Sequence, residues 1–147
     1  MIQSELDRGS SALALSAVIV AADTFRLAAA QHFGLALVDT HAISYLAEHG
    51  PMSQTELARL LGLTSAGVTG LVDRLEQTGN ARRALDPQDR RRHRIELTDH
   101  AWEILAECRE GLARTFDRLD PASVETVTCA LTGLAAGLTE ESRRFGS

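Results

Sequence analysis

Between Met52 and Gly79 the chain marks the ends of two short helices, and few other arrangements satisfy those marks. Ser53-Gln54-Thr55-Glu56 is a start signal: the Ser53 hydroxyl can accept from the Glu56 amide while the Glu56 carboxylate reaches back to the Ser53 amide. Met52 before this cap and Leu57 after it are spaced for a hydrophobic staple. The helix so opened, over 54–61, stops at Gly62, where a positive φ is cheap for glycine. Thr64 then caps a second helix that runs to about Thr78 and stops at Gly79-Asn80. Ala58 is small where two helices would cross, and Val68 and Leu71 are placed to close the small core between them. The spacing predicts a helix-turn-helix over 53–78.

The second helix divides by face. Val68, Leu71, Val72 and Leu75 follow i, i+3, i+4, i+7 and form the core side. A turn of about 100° per residue puts Ala66, Thr69, Gly70 and Asp73 on the outer side. The outer, N-terminal half is made of small residues, Ser65, Ala66, Gly67, Thr69 and Gly70, which allow close approach to a partner but offer no long arm. Directly after this helix comes ARRALDPQDRRRHRIELT, Ala81 to Thr98, two short alternating runs around an Asp86-Pro87-Gln88-Asp89 turn. Between Arg82 and Arg94, the arginines Arg82, Arg83, Arg90, Arg91, Arg92 and Arg94 face only Asp86 and Asp89, an excess of four positive charges in a chain of net charge -5. An acidic chain that concentrates its positive charge on one hairpin is suited to a polyanion. The hairpin turns the motif into its winged form. Arginine at a wing tip fits the negative potential of a DNA minor groove. Asp86 and Asp89 are expected to pair with neighbours and fix the loop, and the outward Asp73 to be neutralised by a wing arginine.

The flanks read as helices. The first, from about Ser10 to Gln31 and ended by Gly34, is rich in Ala and Leu and apolar on most faces over its first half. It is expected to bury itself against something larger than one copy of the chain. A helix over 38–49 carries the stripe Ala42, Ile43, Leu46, Ala47 and stops at Gly50-Pro51. Another runs from a Thr98 cap to about Leu119, and Asp120-Pro121 opens the last, with Asp120 as cap and Val124, Val127, Leu131, Leu134 and Leu138 as a seam. The fold class is mainly α (α+β): a winged helix-turn-helix lobe with a two-stranded wing, plus a helical lobe from both chain ends. The apolar run Ala12 to Ala22, broken by Ser16, is too short for a bilayer, and the N-terminus has no basic start. These point to a cytoplasmic protein with no membrane partner. Cys108 and Cys129 lack CxxC spacing and fall on apolar faces, as buried structural thiols would.

All fifteen basic residues are arginine. A phosphate-binding loop and a Schiff base both need lysine, so neither is open to this chain. GxSxG, HExxH and GxGxxG are missing, and no nucleophile–base spacing occurs. The reading is of a non-enzyme without cofactor. His41, His100 and Glu103 are the candidates for a metal, but no two histidines stand at i, i+4, so no metal site is expected.

The runs LARLLGLTSAGVTG and LVDRLEQTGNARRALDPQDRRRHRIELT resemble the MarR family of winged-helix transcription regulators. The resemblance is close over Ser53 to Thr98, and the flanking helices agree in length and order, so it extends over nearly the whole chain. It implies a dimerisation region from residues 1–35 and 99–147 and a DNA-binding region over 36–98, with the wing at 81–98. It further implies a homodimer on double-stranded DNA at a pseudo-palindromic operator, as an effector-responsive repressor. The expected DNA contacts are Ser53, Thr64, Ser65, Ala66, Thr69, Gly70 and Arg74, with Arg90, Arg91 and Arg92 at the wing tip. An anionic or aromatic effector would lie near Arg26, His32, His41 and Tyr45. Many family members carry a long polar or basic residue where this chain has Gly70. A sequence-tolerant nucleoid protein is the alternative, and an enzyme of small-molecule metabolism a remote one.

Overall fold

A computed structural model describes residues 2–145, with side chains from Asp7 onward. The order is α1 (Ile2–His32), α2 (Leu37–His49), α3 (Gln54–Leu61), α4 (Ser65–Gln77), β1 (Ala81–Leu85), β2 (His93–Leu97), α5 (Asp99–Ala113) and α6 (Val124–Phe145). Short 3-10 helices, Arg114–Arg118 and Pro121–Ser123, lie between α5 and α6. The chain divides into two compact units between Ala106 and Glu107.

The first unit is built on one core. Ala42, Ile43 and Leu46 of α2, Leu57 and Ala58 of α3, Val68, Leu71, Val72 and Leu75 of α4, and Ala81 and Ile95 of the hairpin are all buried together. Ala47, expected in the same stripe, is only half-buried. Met52 joins the core and also pairs its backbone with Ile95, Ile95 N–H donating to the Met52 carbonyl at 2.7 Å. One residue before α3 thereby ties the wing to the start of the helix-turn-helix. The strands are antiparallel, with Ala81 opposite Leu97, Arg83 opposite Ile95 and Leu85 opposite His93.

The helix ends follow local chemistry. Ser53 Oγ accepts from the Glu56 amide at 3.2 Å and the Ser53 amide donates to the Glu56 carboxylate at 2.8 Å. Gly62 adopts φ +66 and closes α3, and the Leu63 amide returns to the Ala58 carbonyl at 2.9 Å. Thr64 Oγ1 accepts from Gly67 N–H, and Thr98 Oγ1 from Ala101 N–H.

Three boundaries differ from the sequence expectations. The helix α1 begins at Ile2 instead of near Ser10 and runs straight through Gly9, a cost of about 1 kcal/mol that a helix of 31 residues absorbs. The helix expected to reach Leu119 ends as α-helix at Ala113 and tightens into a 3-10 turn. Asp120 makes no side-chain cap; its carbonyl accepts the Ser123 amide at 2.8 Å, because Pro121 directs a tight turn before α6 starts.

In the second unit the seam of α6 is only partly covered, with Val124 and Val127 half-buried and Leu131, Leu134 and Leu138 exposed. Cys129 is exposed on this helix and Cys108 is half-buried, so the two cysteines are not buried thiols as expected. The reason for Cys129 is that α6 buries no residue at all. On α1 the large apolar side chains Leu13, Val18, Ile19, Val20 and Leu27 are likewise exposed. By length and composition alone, Asp7–His32 and Pro121–Phe145 are long and apolar enough to cross a membrane, with mean hydropathies of 1.7 and 1.2. The run Ala12 to Ala22 lies inside the first of these stretches.

Candidate nucleic-acid interface

The arginines of the hairpin separate into two groups. Arg82 pairs across the strands with Glu96 at 2.6 Å. Arg83 is held by Asp73 at 2.7 Å and by Glu76, both on α4. The Arg94 guanidinium donates to the Pro51 carbonyl just before α3. Strand arginines are therefore the fasteners that fix the wing to the helix-turn-helix. The partner expected for Asp73 is Arg83, which belongs to the strand and not to the tip. Burial disfavours the Arg83 charge, but the hydrogen bond it donates to Asp73 and the nearby Glu76 carboxylate outweigh that and raise its pKa.

At the tip the arrangement is open. The Asp86 carboxylate accepts the Gln88 amide at 2.8 Å and the Asp89 carboxylate accepts the Arg91 amide at 3.0 Å. Arg92 reaches Asp89 at 3.4 Å with its side chain 78% exposed. The two aspartates thus brace the loop, as their spacing suggested. Arg90 and Arg91 are exposed and carry no ion pair among the described residues.

On α4 the outward face is as bare as the sequence implies. Ser65, Ala66, Thr69 and Gly70 are all exposed, and a Cβ added at Gly70 would meet nothing within 4 Å. Ser53 and Thr64 spend their hydroxyls on caps. Arg74, expected as a DNA contact, is paired within the lobe. Its guanidinium forms a two-pronged pair with Asp39 of α2, Nε at 3.0 Å and Nη2 at 2.6 Å. The hydrogen bond that Arg74 donates to Asp39 raises the Arg74 pKa. Asp39 is 1% exposed and also accepts the Ala36 amide at 3.1 Å, so one carboxylate caps α2 and pins α4. Sequence reading found neither this link nor Gln54, whose Nε2 donates to Thr69 Oγ1 at 2.6 Å. The only available signal for Gln54 was a long amide beside a helix short of long side chains.

The residues expected near an effector only partly converge. His41 of α2 lies within electrostatic reach of Arg26 and Asp23 of α1. Burial and the Arg26 charge lower the His41 pKa, against the opposing pull of Asp23. The Arg26 Nε is buried without a hydrogen-bond partner. Tyr45 packs on the core and stacks on His49 at 6.1 Å, while His32 sits edge-on to Phe33 at 4.8 Å. His100 and Glu103 approach at 3.8 Å over one turn of α5. No cluster of three or more potential metal ligands occurs among the described residues. At Cys108, burial and the Glu107 carboxylate push the thiol pKa up, away from a reactive thiolate.

The comparisons with known proteins bear on this lobe first. The MarR family profile matches residues 33–92. The uncharacterized HTH-type transcriptional regulator YcgE of Bacillus subtilis is 48% identical over 68 residues, covering 46% of this chain and 44% of YcgE. A probable transcriptional regulator from Pseudomonas aeruginosa is 30% identical over 80% of this chain and 92% of its own, with a TM-score of 0.52. The chain belongs to the MarR family. MarR family architecture accounts for the mostly helical chain with a two-stranded antiparallel wing, and the curated relatives it matches are described as HTH-type transcriptional regulators. A structure of the S. aureus MepR–DNA complex shares the fold, with 22% identity, 84% of this chain and 96% of that one covered, and a TM-score of 0.59. The chain spans about half the length of the curated relatives it matches.

Proposed function

We propose that this MarR family protein is a dimeric, sequence-specific DNA-binding regulator, an effector-responsive repressor on a pseudo-palindromic operator. The observation that carries the reading is the free arginine pair Arg90 and Arg91 on a braced tip, beside a helix face with nothing in its way. The neighbouring MepR–DNA complex shows that this fold can hold DNA in that protein.

Residues 36–98 form the DNA-binding region, with α4 entering the major groove and the wing tip the minor groove. Ser65, Ala66, Thr69 and Gly70 line the close approach, with Arg90, Arg91 and Arg92 on the flanking groove or phosphates. Ser53 and Thr64 act through the helix ends they cap, whose amides suit phosphate oxygens. Residues 1–35 and 99–147 form the dimerisation region. The exposed apolar side chains of α1 and α6 support this, because a soluble monomer rarely leaves so many uncovered. The same faces explain the membrane-like hydropathy of these helices, which is that of helices covered by a second copy in a cytoplasmic dimer. The effector site is drawn to Arg26 and His41, where a buried guanidinium nitrogen lacks a partner and would suit an anion.

Selection of tight binders from random duplexes tests the reading. A pseudo-palindrome with half-sites about one helical turn apart is the expected product. Retention of duplexes with no shared sequence would replace the regulator by a sequence-tolerant nucleoid protein.

A further inference from the structure

The N-terminal half of the outward face of α4 offers no side chain long enough to read a base pair with two hydrogen bonds, yet one such side chain stands next to it. Gln54, the first residue of α3, crosses to α4 and donates from Nε2 to Thr69 Oγ1 at 2.6 Å. The Thr69 hydroxyl itself donates to the Ser65 carbonyl at 2.8 Å. Its single proton is therefore used, and it can only accept from Gln54. That fixes which end of the amide faces Thr69: the nitrogen, with Oε1 turned away. Oε1 has no partner among the described residues.

A side-chain amide has two N–H donors and one carbonyl acceptor. Thr69 takes one donor. What remains is one N–H beside one oxygen, the pattern that matches N7 and N6 of adenine in the major groove. The clasp also removes rotamer freedom from Gln54 before any partner arrives, which lowers the cost of binding. Small neighbours complete the case, since Ala66 and Gly70 let the helix face sink toward the base edges.

We propose that Gln54 is a specificity-determining residue that reads an adenine in each half-site, and that Thr69 is its positioning residue. The proposal rests on the DNA-binding reading above. It places direct readout on the first turn of α3, beside the expected α4 contacts Ser65 and Thr69.

The test is a base-preference matrix: competition binding with operators changed at every position, for wild type, Gln54→Ala, Gln54→Glu and Thr69→Val. Wild type is expected to prefer adenine at one position of each half-site. Gln54→Ala should lower that preference by about tenfold and leave the other positions and the salt dependence unchanged. Gln54→Glu should shift it toward cytosine, whose amino group donates to a carboxylate. Thr69→Val should weaken the same position and no other. Unchanged preferences in Gln54→Ala would overturn the proposal. So would a uniform loss across sequences with a flatter salt dependence, which marks a phosphate contact. A wild type with no preference at any position would overturn the regulator reading itself, and that outcome is visible without any variant.

Discussion

Single carboxylates hold the first unit together at its joints. Asp39 is the clearest case, buried, capping α2 and gripping Arg74. Removing one partner of a fully buried pair costs roughly 3–5 kcal/mol, and the 44% exposed Arg74 side chain reduces that here. Asp39→Ala is therefore expected to destabilise the fold by about 2 kcal/mol in urea unfolding. In a double cycle with Arg74→Ala the double variant should lose less than the sum of the two single variants, because both changes delete one contact. Glu56 acts on a smaller scale. The Ser53 hydroxyl, then the Ser53 amide, hold its carboxyl below the ordinary value of 4.5. A depressed folded pKa means stability present above 4.5 and lost as the pH falls through the folded value. Ser53→Ala should cost about 1 kcal/mol near neutrality and flatten that acid limb. An acid limb as steep as that of wild type would show that the Ser53–Glu56 box does not produce it.

At the scale of elements, the wing is fastened by its strands and left free at its tip. Arg83 links β1 to two carboxylates of α4, so Arg83→Ala should speed hydrogen exchange of the β1 amides while α2 amides keep their protection. Equal loss of protection in both would mean that Arg83 supports the whole core instead. The elements most legible in the sequence were those ended by local chemistry. The α3 and α4 bounds followed from Ser53, Glu56, Gly62 and Thr64, whose partners lie within four residues. The hairpin and its aspartate braces were legible for the same reason. Links over long separations were not. Gln54 meets Thr69 fifteen residues on, and Arg74 meets Asp39 thirty-five residues back. An arginine on the right helix reads as a DNA contact until the fold supplies its nearest carboxylate. The start of α1 was not legible because no capping residue marks it, and the helix runs on through Gly9 at little cost.

For the whole molecule, the account predicts a dimer that brings two wings to one duplex. Sedimentation should give twice the chain mass of 15.9 kDa, and Leu134→Glu on the exposed seam of α6 should shift it toward monomer. A wild type that stays monomeric at all concentrations would remove the basis for a palindromic site. The most direct measurement is the salt dependence of duplex binding by wild type and Arg91→Ala. About four phosphates neutralised per subunit give a log–log slope near -7 for the dimer. Arg91→Ala, which removes one free cation per subunit, should flatten that slope by about 2. Equal slopes for the two proteins would contradict the account, because the arginine tip would then not be what grips the DNA.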